Sequence, residues 1–218
     1  MNKIGTVTNV DFTYEEKTTK TPLETYEWDN IWWDHPSAEG KRVLLIGDSI
    51  SCGYRRMVGD CLEQKIFADG FGTSKAVDHP KFLEGLKYMA GQQSRCDLIH
   101  FNNGLHGWHL SPEDYGAAYA KLLKEVQALF GGVPLIVALT TPVRDGQDLT
   151  RFADRNELVC KRNEIAGSLA ADLGAEINDL YTPLAARPEL YLQDGVHLTQ
   201  QGYQLLADQT EEMIRRLL

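Results

Sequence analysis

The sequence is poor in cysteine and in basic residues. Four cysteines among 218 residues, Cys52, Cys61, Cys96 and Cys160, are widely spaced and form no CxxC pair. This spacing argues against a zinc ribbon and against a disulfide scaffold. Lys and Arg together number 22 against 31 Asp and Glu, which gives a net charge of −9. Because a nucleic-acid surface needs clustered basic residues, the composition argues against a nucleic-acid partner.

Long apolar runs are also missing. The first twenty residues hold no apolar segment of the kind found in a signal peptide, and no later run has the length needed to cross a bilayer. We therefore expect no membrane partner and a cytoplasmic location for the chain as written. A secreted mature form, from which a signal has been removed, stays open.

Short apolar runs instead alternate with longer segments of helical spacing from about residue 42 onward. The predicted strands are residues 42–46, 65–68, 97–101, 133–139 and 175–178. This alternation is typical of βαβ units and a parallel sheet. We predict an α/β protein, a three-layer α/β/α sandwich around a five-stranded, flavodoxin-like parallel sheet. In such folds ligands bind beyond the carboxyl ends of the strands.

Three helices are predicted from apolar residues that recur every three or four positions. Their apolar faces are Tyr115, Ala118, Tyr119, Leu122, Val126 and Leu129 in the first, Leu158, Ile165, Leu169 and Leu173 in the second, and Tyr203, Leu206, Met213, Ile214 and Leu217 in the last. Thr199 is the predicted N-cap of the last helix. The charged pair Lys161 and Arg162 is interpreted as part of a solvated helix face.

Two short segments carry side chains suited to nucleophilic chemistry. The tripeptide Gly-Asp-Ser ending at Ser49 follows the first predicted strand directly, which places a hydroxyl at a strand's carboxyl end. Near the other end of the chain, Asp-Gly-Val-His sets Asp194 three residues before His197. A hydroxyl needs a base to take its proton, and that base needs an orienting partner. Ser49, His197 and Asp194 are the candidates for these three roles.

These two segments, in this order and at this separation, resemble the first and last blocks of the SGNH (GDSL-like) hydrolases. The resemblance runs from about residue 42 to the end of the chain. It implies ester hydrolysis with Ser49 as nucleophile, His197 as base and Asp194 as its acidic partner. The segment from Phe101 to His106, Phe-Asn-Asn-Gly-Leu-His, is similar to bacterial members grouped with carbohydrate esterases.

The resemblance also implies an oxyanion hole built from three donors. Members of the family use the N–H of the nucleophile, here Ser49, a glycine N–H after the second strand and an asparagine amide after the third. The glycine is Gly72, with Gly70 as the alternative. For the asparagine we favour Asn103 and keep Asn102 as the alternative.

Further side chains of this segment and of the nucleophile's turn face the predicted crevice. Asp48 and His106 are the predicted substrate contacts. His106 and His109 lie three residues apart, a spacing that also occurs in metal sites, but the sequence offers no clear third ligand. We predict neither a metal nor an organic cofactor.

The first forty residues fit no βαβ unit and carry three tryptophans, Trp28, Trp32 and Trp33. We interpret residues 1–40 as an arm packed on an SGNH hydrolase domain formed by residues 41–218. The alternative is a lip that contacts substrate, since aromatic faces suit sugar rings.

The predicted reaction is hydrolysis of short acyl esters, acetyl esters on carbohydrate in the first place, through an acyl-enzyme. A lysophospholipase or thioesterase is one alternative. A catalytically silent SGNH-like domain that binds a glycan or a protein partner is the other. The oligomeric state stays open.

Overall fold

The computed structural model describes residues 14–15, 20–62 and 65–218. Its strands are β1 (Tyr14–Glu15), β2 (Leu23–Glu24), β3 (Asp29–Trp32), β4 (Lys41–Gly47), β5 (Ile66–Thr73), β6 (Leu98–Phe101), β7 (Leu135–Ala138), β8 (Arg144–Asp145), β9 (Asp148–Phe152) and β10 (Glu176–Asn178). Its helices are α1 (Ser49–Cys61), α2 (Pro80–Gln92), α3 (Pro112–Leu129), α4 (Asn156–Leu173), α5 (Thr182–Ala185) and α6 (Gln200–Leu217), with a 3-10 turn at Pro188–Leu190.

The central sheet has six strands in the order β10-β7-β6-β4-β5-β3. All five predicted strands are present and pair in parallel, so the α/β prediction is confirmed. The sixth strand, β3, was not predicted and pairs antiparallel with β5 at the sheet edge. After β4 the chain forms β5 on one side of β4 and then β6 on the other side of β4. This reversal in strand order opens a crevice at the carboxyl end of β4.

Two apolar layers cover the sheet. Val43 and Leu45 of β4 point towards α1 and α6, while Leu44 and Ile46 point towards α2 and α3. All four side chains are at most 1% exposed because β4 lies in the middle of the sheet and is covered on both faces. The crossover helices thus hold the central strand rigid up to its carboxyl end.

Strand β5 is longer than predicted and contains both glycines that were expected in the loop after it. Residues 65–68 were predicted as strand, whereas β5 extends to Thr73. A Cβ at Gly72 would overlap the thiol of Cys52, and one at Gly70 would lie 3.1 Å from Cδ of Arg55. The glycines therefore serve the close approach of α1 to the sheet and do not mark a loop.

Part of the predicted arm is built into the sheet. Residues 29–32 form β3, and Leu23–Glu24 pairs with Tyr14–Glu15 in a separate two-stranded ribbon. The remainder of the arm, residues 1–13 and 16–19, lies outside the described residues, as do residues 63–64. The division of the chain at residues 40 and 41 stays a prediction.

Helix α4 is present, but a different face of it is buried. The predicted apolar positions are only partly buried, and the side chains facing the core are Asn156, Val159, Arg162, Ala166 and Ala170. The prediction that Arg162 is solvated is wrong, because this side chain is fully buried. Small alanines bring the helix axis close to its neighbours and leave room for one long side chain.

A neutral histidine is buried in the centre of the sheet. His100 of β6 is 0% exposed, and its Nε2 lies 3.0 Å from Nδ2 of Asn178. Because an amide NH₂ only donates, this ring nitrogen accepts and the imidazole is neutral. Burial lowers the pKa of His100 from 6.5 to about 4.

The buried histidine makes the fold sensitive to acid. The folded state keeps His100 neutral while the unfolded chain binds a proton, so this contribution is complete above pH 6.5 and is lost as the pH falls towards 4. At 1.36 kcal/mol per pKa unit the loss is roughly 3 kcal/mol. Between pH 7 and pH 4 we expect the free energy of unfolding to fall by roughly 3 kcal/mol less in His100→Gln than in the wild type, measured with urea at several pH values. Identical pH profiles for the two proteins would contradict this.

Candidate active site

Ser49 lies where the central strand becomes a helix. It is the first residue of α1, and the preceding Asp48 caps that helix by accepting a hydrogen bond from the Ile50 N–H at 2.9 Å. Asp48 is fully buried. A Cβ at Gly47 would overlap the hydroxyl of Ser51, so the chain can turn here only with glycine. Capping and close packing together hold Ser49, half-buried, at the mouth of the crevice.

A tight turn before α6 presents the predicted acid and base. Gly195 has φ of +71°, and a Cβ there would overlap the carbonyl oxygen of Arg144. One carboxylate oxygen of Asp194 accepts the N–H groups of Val196 and His197, both at 2.9 Å. The left-handed glycine lets the turn close over this carboxylate, whose second oxygen stays available for the imidazole.

The three predicted residues meet although Ser49 and His197 are 148 positions apart in the chain. The Nδ1 of His197 lies 2.7 Å from Oδ2 of Asp194, and its Nε2 lies 2.9 Å from Oγ of Ser49. A carboxylate only accepts, so Nδ1 carries the proton and Nε2 is the acceptor for the serine hydroxyl. This is the arrangement in which an imidazole can deprotonate a hydroxyl.

Charge and hydrogen bonding shift the pKa of both members of the Asp194 and His197 pair. Partial burial raises the pKa of Asp194, but the hydrogen bonds from the His197 ring and from the two turn N–H groups outweigh it and bring the pKa to about 2. The same bond to Asp194 raises the pKa of His197 above 6.5, against the lowering effect of burial. The carboxylate is therefore charged at neutral pH and favours a protonated imidazole.

The two candidate asparagines differ in the donors that they have left. Asn102 donates its amide to the Ala138 carbonyl at 2.8 Å and to Oγ1 of Thr140 at 3.3 Å, which uses both of its N–H groups. Asn103 donates to the Lys75 carbonyl at 3.0 Å. One amide N–H of Asn103 is left for a further acceptor. Of the two asparagines, Asn103 is therefore the one with an amide N–H to spare.

The glycine candidates lie in the sheet, which corrects their expected position in a loop. Gly72 has strand partners on both sides, Gly47 of β4 and Asn30 of β3. The residues that follow β5 directly are Ser74 and Lys75. Sequence reasoning passed over them because the two glycines looked like the loop.

Residues of the arm tie down this loop. The hydroxyl of Ser74 accepts the Trp28 N–H at 2.8 Å, and the Ser74 N–H donates to the Trp28 carbonyl at 3.1 Å. One carboxylate oxygen of Asp29 accepts from the Thr73 hydroxyl at 2.6 Å and from the Lys75 ammonium at 2.8 Å. The arm thus holds the residues that follow β5, in line with the alternative that this segment lies beside the substrate crevice.

His106, a predicted substrate contact, is held by the same arm. Its Nδ1 lies 2.6 Å from a carboxylate oxygen of Glu24, and both side chains are only 7% exposed. His109 lies 3.0 Å from Asp78. Among the described residues, no three His, Cys, Asp or Glu side chains are grouped in a way that could hold a metal ion.

Within the same described ranges, no helix is both long and apolar enough to span a membrane.

Solved structures with the same fold include several esterases. AlAXEase, an acetyl xylan esterase, is 16% identical with a TM-score of 0.63 over 79% of this chain and 99% of that one. Est24, a carbohydrate acetylesterase from Sinorhizobium meliloti, is 16% identical with a TM-score of 0.66 over 82% and 100%. An inhibitor-bound aryl esterase of M. smegmatis is 15% identical with a TM-score of 0.63 over 82% and 100%. At these identities the likeness shows a shared fold.

Sequence comparison places the chain more specifically. No curated protein matches it significantly. The model of the GDSL-like lipase/acylhydrolase family, however, matches residues 45–205, more than half of the chain. That range runs from the strand before Ser49 into the last helix and includes His197. The chain therefore belongs to the GDSL-like lipase/acylhydrolase family and is an ester-bond hydrolase, as the resemblance to SGNH hydrolases implied.

Proposed function

We propose that this hydrolase cleaves short acyl esters, acetyl esters of carbohydrates in the first place, through a triad of Ser49, His197 and Asp194. The observation that carries the proposal is the contact of 2.9 Å between Nε2 of His197 and Oγ of Ser49, with Nδ1 of the same ring on Asp194. A base held this close can take the serine proton as the oxygen attacks a carbonyl carbon.

The reaction proceeds through two tetrahedral intermediates. Oγ of Ser49 bonds to the ester carbonyl carbon while its proton moves to Nε2 of His197. The imidazolium returns this proton to the leaving alcohol oxygen as the ester C–O bond breaks, which leaves an acyl-serine. Water then attacks the acyl carbon, gives a proton to Nε2, and the acid is released as Ser49 recovers its proton. Asp194 stays ionised and orients the ring throughout.

Two donors on this chain are suited to the developing oxyanion. The Ser49 N–H is in the first turn of α1, where the helix leaves backbone N–H groups without an acceptor, and the helix dipole favours negative charge there. The second donor is the remaining amide N–H of Asn103. The Gly72 N–H stays the sequence prediction for a third.

The preference for short acyl groups rests on crowding beside the nucleophile. Cys52 is one turn after Ser49 on α1, so the two side chains share a helix face. The thiol of Cys52 and the ring of Trp28 both lie beside Gly72, where a Cβ would overlap Sγ of the thiol and lie 3.4 Å from Cζ3 of the ring. We infer that these two side chains limit the depth open to an acyl chain beside Ser49. The carbohydrate part is suggested by the acetylesterases that share the fold.

Removing the nucleophile or the base tests the triad. We expect Ser49→Ala and His197→Ala to lower kcat on p-nitrophenyl acetate by about 10⁴-fold or more, since the remaining members do not act without them. Ser51→Ala is the matched serine control, and His35→Ala, at an exposed histidine that pairs with Asp34, is the histidine control. Circular dichroism confirms folding in each case. Folded Ser49→Ala or His197→Ala proteins with wild-type turnover would refute the triad.

The pH dependence tests the pairing of His197 with Asp194. Only the neutral imidazole accepts the serine proton, so kcat/KM should rise with pH through the pKa of His197, which lies above 6.5. Asp194→Asn removes the charge that raises this pKa. We expect the rising limb to move to lower pH and kcat to fall by on the order of 10⁴. If kcat/KM rises at the same pH in the wild type and in Asp194→Asn, a group other than His197 titrates.

Acyl-length preference tests the crevice wall. In Trp28→Ala the ratio of kcat/KM for p-nitrophenyl butyrate to that for the acetate should increase about tenfold, because the space for extra methylenes opens. Trp33→Ala is the control, since Trp33 packs in the layer on the opposite face of the sheet. An unchanged ratio in Trp28→Ala would remove this wall from the proposal, and wild-type preference for long acyl chains would favour a lysophospholipase or thioesterase.

A further inference from the structure

A buried arginine lies behind the loop that carries Asn103. Arg162 of α4 is 0% exposed, and its guanidinium donates to three backbone carbonyls of one loop. The distances are 3.0 Å to Gly104, 2.7 Å to His106 and 2.6 Å to Gly107. These acceptors lie one to four residues after Asn103, so one cation holds the whole turn that follows it.

Two aromatic rings enclose the guanidinium. Its Cζ lies 4.8 Å from the ring centroid of Trp108 and 4.6 Å from that of Tyr115. A cation over an aromatic face is stabilised most where water is excluded. The Tyr115 hydroxyl also donates to the carbonyl of Asn103. The same cluster therefore holds both the backbone of Asn103 and the loop after it.

The other side of the loop fits closely against its surroundings. A Cβ at Gly104 would overlap the Thr140 side chain, and Gly107 has φ of +71° with its Cβ position 2.7 Å from that of Ala76. The carbonyls of Gly104, His106 and Gly107 face Arg162 of α4. A planar guanidinium presents five N–H groups in a fixed geometry, and here two of its nitrogens donate to the three carbonyls. An apolar side chain offers no donor, and an ammonium offers three donors on one flexible point charge without this fixed spacing.

We propose that Arg162 is a positioning residue for ester hydrolysis, which holds the loop from Asn103 to Gly107 so that the free amide N–H of Asn103 faces the oxyanion. Arg162 touches no reacting atom and acts through Asn103. The inference rests on the proposed function, in which Asn103 is an oxyanion donor. A buried cation is costly to desolvate, so a role confined to filling space would be served better by an apolar side chain.

The test variant is Arg162→Lys, which keeps the positive charge but loses the planar guanidinium. The control is Lys161→Ala, at the exposed neighbouring position. Hydrogen exchange of the backbone amides in residues 101–110 reports the loop without any need for activity. We expect faster exchange there in Arg162→Lys, with kcat on p-nitrophenyl acetate at least tenfold lower and KM within twofold. Tyr115→Phe removes only one hydroxyl from the cluster. It serves as the second variant if Arg162→Lys does not fold.

A double-mutant cycle with Asn103→Ala separates positioning from general damage. If Arg162 acts through Asn103, Arg162→Lys should lower kcat less than twofold in the Asn103→Ala background. A full tenfold loss in that background overturns the proposal, as does exchange in residues 101–110 equal to that of Lys161→Ala. If Arg162→Lys keeps the wild-type kcat while Asn103→Ala lowers it, only the positioning role of Arg162 is overturned. If Asn103→Ala keeps the wild-type kcat, the oxyanion assignment and the positioning role are overturned together.

Discussion

The close approach of α1 to the sheet is the constraint on which the rest of the site depends. Gly47 and Gly72 leave no room for a Cβ beneath this helix, and a Cβ at Gly70 would press on Arg55, so α1 can begin at the very end of the central strand. Its first residue is then Ser49, with an unsatisfied N–H and a hydroxyl pointing into the crevice. Every other part of the site must reach this one fixed point.

Buried arginines bring two of those parts into place by binding carbonyl groups. Arg162 holds the turn after Asn103 through three carbonyls. Arg144 uses its guanidinium on carbonyls of Leu149, Leu184 and Ala185, at 2.6 to 3.1 Å, while its own N–H donates to Gly195 in the turn of the acid and base. The Arg162 cation thus binds irregular backbone, whereas the Arg144 guanidinium binds carbonyls of β9 and α5 and its backbone N–H holds the turn at Gly195.

Two histidines have pKa values shifted in opposite directions because their hydrogen-bond partners differ in charge. His100, fully buried beside a neutral amide, has its pKa lowered to about 4 and contributes to packing. His197 meets a carboxylate at the crevice and has its pKa raised. Burial alone would lower both, so the charged partner decides which imidazole can exchange protons near neutral pH.

The sequence by itself determined the five parallel strands, the helices α3, α4 and α6, and the family. The reason is that strand and helix periodicity and the two short motifs are local in the chain. It also named Ser49, Asp194 and His197, although only folding brings them within hydrogen-bond distance. Tertiary structure alone decided that Gly70 and Gly72 lie inside a strand, that β3 joins the sheet edge, and that Arg162 is buried. These features depend on what packs against a residue from distant parts of the chain, and a glycine or an arginine looks the same in sequence whether it faces water or a neighbouring helix.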